Sequence, residues 1–142
     1  MIENSKFVNG EGKQVNIVNS DGEYYYQYDV TFNVAIIGAR FSMLIKTING
    51  LELGALWTAP RGEGVNVLPG QTVKVSFPLK LPFREGVYFV NSGTTGFLDS
   101  EYVTTHRVID ACTFKVLPQQ IGVGDRYINM AIQDSPSVTV MS

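Results

Sequence analysis

Strict alternation of apolar and polar side chains governs this chain. Residues 72–81 read TVKVSFPLKL, with Val73, Val75, Phe77, Leu79 and Leu81 on one parity and Thr72, Lys74, Ser76, Pro78 and Lys80 on the other. A period of two belongs to a strand with one face on a core and one on water. The same period runs through residues 23–34, EYYYQYDVTFNV, where Tyr24, Tyr26 and Tyr28 share parity with Val30, Phe32 and Val34. Most of that tyrosine face is therefore expected in the core, with Tyr25, Gln27 and Asp29 turned outward. The pattern predicts one bent strand running to about residue 37, broken by Gly38.

Turn signals divide the rest of the chain into segments of the same kind. Residues 13–19 alternate Val15 and Ile17 with polar neighbours, and Ser20-Asp21-Gly22 then turns the chain. Residues 39–47 and 51–58 flank Asn49-Gly50, a dipeptide suited to a tight hairpin because both residues tolerate positive φ. A loop bearing glycine and proline, residues 59–70, leads into the alternating strand, where Pro78 points to an unpaired edge. Residues 87–93 read as a further strand, and residues 102–117 as a strand pair or one long bent strand. A polar, glycine-bearing stretch over 118–136 precedes a short strand-like run, PSVTVMS. No segment sustains a helical period, so the chain is expected to be all-β, with about eight to ten strands in an antiparallel β-sandwich.

At 142 residues, with 44% hydrophobic and 17% charged residues, the chain reads as globular and most simply as one domain. Its formal net charge of −2 argues against a general nucleic-acid binder, which needs a basic stripe to displace counterions. The single cysteine, Cys112, has no partner for an internal disulfide, and no apolar run approaches the length of a membrane span. The first residues carry no apolar leader core, so a cytoplasmic setting is expected.

Catalysis has little to stand on. His106 is the only histidine, neither Cys112 nor any serine sits in a recognisable nucleophile motif, and Asp99 and Glu101 read as solvated loop acids. One histidine and one cysteine make a poor zinc set, and no cofactor is expected. Binding fits better. Sugars present apolar C–H faces and rings of hydroxyls, which aromatic faces and planar hydrogen-bonding groups on a rigid scaffold can match. The candidates are Trp57, Tyr88 and Tyr102 among the aromatics, and Arg61, Asn91, His106 and Arg107 among the polar residues. An acidic sugar would favour arginine, whose planar fork holds a carboxylate with two parallel bonds.

Each candidate has an ordinary reading beside the functional one. Trp57 shares parity with Leu53 and Ala55 and reads slightly more readily as core. Tyr88 is evenly balanced between the core rim and a ligand contact, and Arg61 occupies a loop where a lone arginine is commonly just solvated. Unbroken alternation places Tyr102 and His106 on one face and Arg107 on the other. His106 and Arg107 can both line one groove only if a bulge intervenes.

Residues 23–117 carry an ordered set of features. Phe41, Ile45-Lys46-Thr47 and the hairpin Asn49-Gly50-Leu51-Glu52-Leu53-Gly54 come first. Gly70-Gln71 follows, then Val73, Val75, Phe77 and Leu79, then Gly86-Val87-Tyr88, and finally Asp110-Ala111 with Phe114 and Val116. In this order they resemble the C-terminal carbohydrate-binding domain of the Wzt family, the nucleotide-binding subunits of O-antigen ABC transporters. The resemblance implies a jelly-roll-like sandwich over residues 1–142, with 118–142 as a connector and an exchanged C-terminal strand. It implies recognition of the terminal residues of an undecaprenyl-linked O-antigen glycan, and the arginines extend that expectation to an acidic terminal cap. It further implies a homodimer made by that strand exchange, an ATP-binding domain of the same subunit as partner, and a cytoplasmic position at the inner membrane. No G-x-x-x-x-G-K-[ST] phosphate loop occurs here, so ATP chemistry is expected elsewhere. The residues alone also admit a structural or assembly jelly-roll module whose aromatics serve packing.

Overall fold

The computed structural model describes residues 1–118 and 137–141, and among these every regular element is a strand. In chain order they are β1 (Ile2–Asn9), β2 (Gln14–Val15), β3 (Ile17–Val18), β4 (Glu23–Thr31), β5 (Ile36–Thr47) and β6 (Glu52–Trp57). They continue with β7 (Val65–Val67), β8 (Thr72–Lys80), β9 (Gly86–Leu98), β10 (Glu101–Val116) and β11 (Ser137–Met141). One sheet has the order β11-β8-β4-β1-β2. The other runs β3-β10-β9-β5-β6, with β7 added on β5. Apart from the short parallel pairing of β3 with β10, all pairs are antiparallel. The expected antiparallel sandwich is the fold that forms.

Alternation decides what lies between the sheets. From the first sheet come Phe7, Tyr24, Tyr26, Tyr28 and Val30, with Val73, Val75, Phe77 and Leu79. The second contributes Ile36, Phe41, Met43, Ile45, Val90, Phe114 and Val116. Phe7 anchors the aromatic part, its ring centroid 5.0 Å from Tyr26 and 4.8 Å from Phe114. The tyrosines also bolt the sheets together, because a buried phenol must find a partner. Tyr26 Oη lies 2.5 Å from Ser92 Oγ on β9, and Tyr28 Oη donates to the carbonyls of Ser42 at 2.7 Å and Gly93 at 3.0 Å. Tyr24 Oη accepts the backbone N–H of Asn19 and closes the turn before β4.

Two local expectations are revised. The long strand ends at Thr31 instead of residue 37; residues 32–35 cross to the second sheet, where Ile36 opens β5, and Val34 is exposed. Gly38 does not end a strand. It sits within β5 at φ +64, where the register against β9 shifts between Ile37 and Arg40. Of the two readings of residues 102–117, the one long bent strand is the one that forms, as β10. Among the described residues the β11 pairing reaches Ser76, opposite Ser137, two residues before Pro78. The hairpin at Asn49-Gly50 is present, with Gly50 at φ +87 and Thr47 N–H donating to Leu51 O. The expected connector over 119–136 lies outside the described residues.

Candidate functional site

The outward face of the second sheet carries the polar and aromatic candidates, and bulges decide which ones reach it. On β10, Thr104 pairs with Thr95 but His106 pairs with Thr94, so Thr105 is the extra residue. Thr105 Oγ1 donates to Thr94 O and holds that bulge. Beyond it the parity is reversed. Tyr102, Thr104 and Arg107 share the outward face, opposite Phe97, Thr95 and Gly93. His106 turns inward, where its Nδ1 accepts the backbone N–H of Ile2 on the facing sheet at 2.9 Å. A bulge does intervene, but it brings Arg107 to the face of Tyr102 and leaves His106 and Arg107 on opposite faces, with His106 tying β1 to β10.

A second bulge corrects the reading of Trp57. Ile45 pairs with Gly54 and Lys46 with Glu52, so Leu53 is the extra residue and packs against the core. Trp57 then pairs with Ser42 on the outward face and is 43% exposed. Tyr88 goes the other way. It is buried between the sheets, stacked on Phe114 at 5.4 Å and near Phe83 at 5.0 Å, with its hydroxyl donating to Arg84 O. Burial pushes its phenol upward, with Arg84 opposing. The structure therefore places Tyr88 and His106 away from the surface that gathers Trp57, Arg61, Asn91, Tyr102 and Arg107.

An arginine that sequence reasoning passed over organises that surface. Arg40 lies on β5 opposite Thr95, and its guanidinium carbon sits 4.1 Å from the Trp57 ring centroid and 6.0 Å from that of Tyr102. Arg61 covers Tyr102 at 3.9 Å. Rings and cations therefore alternate in the order Trp57, Arg40, Tyr102, Arg61. Each such contact is worth roughly 0.5–2 kcal/mol, more where water is excluded. Tyr102 is held for this role by its hydroxyl, 2.7 Å from Thr95 Oγ1, and by edge-on packing against Phe97 at 4.9 Å.

The loop carrying Arg61 is clamped at both ends. Thr58 exchanges bonds with Phe41: its N–H donates to Phe41 O at 2.9 Å, and its Oγ1 accepts from Phe41 N at 3.1 Å. At the other end Gly64 presses on the β5 backbone, where an added Cβ would meet Ala39 O at 2.3 Å. Beside the rings lies a depression of about 230 Å³ lined by Ser42, Ala55, Trp57, Thr95, Thr104 and Arg107, with Glu52 and Asn91 also on its wall. Asn91 Oδ1 accepts the Asp110 N–H and fixes the second bulge of β10. Asp110 in turn takes Lys46 at 2.8 Å, so that lysine is already paired. Among the described residues no cluster of histidine, cysteine and carboxylates could hold a metal ion. What the surface offers is π-faces, guanidinium donors and small hydroxyls on rigid strands, the chemistry of polar-ligand recognition.

The fold defines the class: an antiparallel β-sandwich whose second sheet carries aromatic and arginine side chains on its outward face. Residues 1–131 match the family described as the Wzt C-terminal domain, and the chain belongs to that family. The family is of a non-catalytic, binding type. The fold also matches the crystal structure of the C-terminal domain of wzt, with a TM-score of 0.73 and 17% identity, covering 84% of this chain and 75% of that one. Among curated proteins none matches the chain.

Proposed function

We propose that this domain binds the terminal residues of an undecaprenyl-linked O-antigen glycan and presents that chain end to its ABC transporter. The observation that carries the reading is the ring-and-cation order of Trp57, Arg40, Tyr102 and Arg61 beside the depression lined by Thr104 and Arg107. An exposed indole covers the C–H face of a sugar ring, and the hydroxyls meet guanidinium and Thr donors whose positions the sheet fixes. Membership of the Wzt C-terminal family supports the O-antigen setting. The domain's work is recognition, with ATP hydrolysis in a separate domain of the subunit at the cytoplasmic side of the inner membrane. A homodimer through exchange of the C-terminal strand completes the proposal.

The test is titration of the labelled chain with O-antigen oligosaccharides that differ at the non-reducing end, followed by N–H chemical shifts. End-dependent shifts should cluster on Trp57, Tyr102 and Arg107 and leave Tyr88 still. Trp57→Ala should weaken binding about tenfold, as expected for losing a contact worth 1–2 kcal/mol. Shifts that ignore the chain end, or that scatter over the first sheet, would remove the reading.

A further inference from the structure

We propose that Gly93 decides what the depression admits: it leaves bare strand backbone as the floor on which one sugar ring seats between Trp57 and Arg107. This deepens the glycan-binding reading and rests on it. The register puts Trp57, Ser42, Gly93 and Arg107 in one row across β6, β5, β9 and β10, and all of them line the depression. Neighbouring strands lie about 4.8 Å apart, so the backbones of Trp57 and Arg107 stand roughly 14 Å from each other. The row is tall at both ends and low in the middle, where β5 raises a hydroxymethyl group and β9 a hydrogen.

The fold does not ask for glycine at this place. Along the outward face of β9 the series is Val87, Phe89, Asn91, Gly93, Thr95 and Phe97, so every other member carries a side chain. Gly93 is not among the glycines with positive φ, and the adjacent bulge belongs to β10, where Thr105 is the extra residue. Space does not require it either. A Cβ on Gly93 would meet Ser42 Oγ at 3.0 Å and His106 O at 3.9 Å, and the serine hydroxyl has other rotamers to turn to. Gly96 is the opposite case: a Cβ there would meet Ile36 Cγ2 at 2.3 Å and Ala39 Cα at 3.2 Å, so core packing demands glycine. A glycine inside a strand gives up chain entropy and side-chain packing. Where neither backbone nor packing calls for it, its remaining use is the close approach of a ligand.

The floor is also held in place. Tyr28 Oη, reaching from the core, donates to the carbonyls of Ser42 at 2.7 Å and Gly93 at 3.0 Å. The two middle members of the row are thereby fixed from below, with nothing on the outward side spent on it. A ligand seated on a surface already in its bound shape loses less to ordering. At about 230 Å³ the depression is smaller than the roughly 300 Å³ at which drug-sized pockets begin, a scale suited to a single monosaccharide unit.

The test uses the full chain, Gly93→Ala, Gly93→Val, and Gly93→Ala combined with Ser42→Ala. Each is titrated with methyl glycosides of the common hexoses and with O-antigen oligosaccharides. The backbone N–H of residue 93 and the Trp57 indole N–H report binding, and urea melts report the fold. Gly93→Ala should weaken sugar binding about tenfold and Gly93→Val further, because each fills the floor. The melt of Gly93→Ala should keep its midpoint or gain, as expected where the backbone does not need glycine. Removing Ser42 Oγ in the combined variant should not restore binding, since the Cβ at residue 93 still stands on the floor.

Unchanged binding by Gly93→Ala, or its restoration in the combined variant, would overturn the role of Gly93 while leaving glycan binding in place. A melt that weakens in step with binding would assign the glycine to the fold and overturn it equally. Silence of the unaltered chain toward every sugar would end the glycan reading, and the role of Gly93 with it.

Discussion

Tyr26 and Tyr28 are the residues on which the sandwich closes, and they make its stability depend on alkaline pH. Burial pushes Tyr26 from 10.0 up to about 12, against the lowering effect of its bonds to Ser5 and Ser92, and burial raises Tyr28 well above 10.0. In the unfolded chain both phenols ionise near 10, so the unfolded state sheds its protons first. Stability is therefore intact below that pH and falls as pH rises through the window up to about 12. Tyr26 alone should remove roughly 2–3 kcal/mol by the end of that window. Urea melts at a series of alkaline pH values check the slope. Tyr26→Phe should make it shallower, with Tyr28 still contributing, while costing about 1 kcal/mol at neutral pH, because Ser92 loses its buried partner. The role of these tyrosines was legible from parity alone, since Val30 and Phe32 on the same face leave no other side for the core. Trp57 was not legible in that way. Its apparent companion Leu53 is a bulge residue, and parity counted across a bulge assigns the wrong face.

At the level of elements, bulges build the candidate site. Thr105 on β10 admits Arg107 to the face of Tyr102 and sends His106 inward; Leu53 on β6 turns Trp57 out; and the shift at Gly38 and Ala39 sets Arg40 opposite Thr95. The sequence marks strands and hairpins through period and glycine, but an inserted residue leaves no mark in a count of apolar positions. Arg40 escaped notice for that reason: its outward neighbours Trp57 and Tyr102 lie on other strands, and only the register brings them together. Adjacent residues on β10 should consequently behave as opposites. His106→Ala leaves the Ile2 N–H without its acceptor and should cost about 1–3 kcal/mol in a urea melt with ligand binding little changed. Arg107→Ala should leave the melt within about 0.5 kcal/mol and weaken binding of the oligosaccharide. The same logic applies to the Arg61 loop. Gly64→Ala forces a Cβ onto the Ala39 carbonyl, and should cost about 1–3 kcal/mol and lift Arg61 from Tyr102, read as loss of the ring-current shift on the Arg61 side chain.

For the whole molecule, assembly turns on β11. It covers β8 from Thr72 to Ser76 with Val138 opposite Val75, and Val138 is its one side chain packed on the core. Val140 and Met141 remain exposed, so the strand's gain comes chiefly from satisfying the β8 backbone edge, which would otherwise template pairing with another chain. Those pairs are the same whether β11 folds back on its own β8 or crosses to a second copy, because register carries no record of which chain supplied the strand. Mass does. Sedimentation of the 142-residue chain should give a dimer if the strand is exchanged, and a chain ending at Leu117 should then sediment as a monomer with a bare β8 edge. Equal dimer populations in both would remove strand exchange and point to another interface. Adding the peptide covering residues 137–141 to the shortened chain separates the remaining cases. Rescue of the β8 amide protection without restoring mass would locate the strand's contribution in the sheet, and its tether in what makes the dimer.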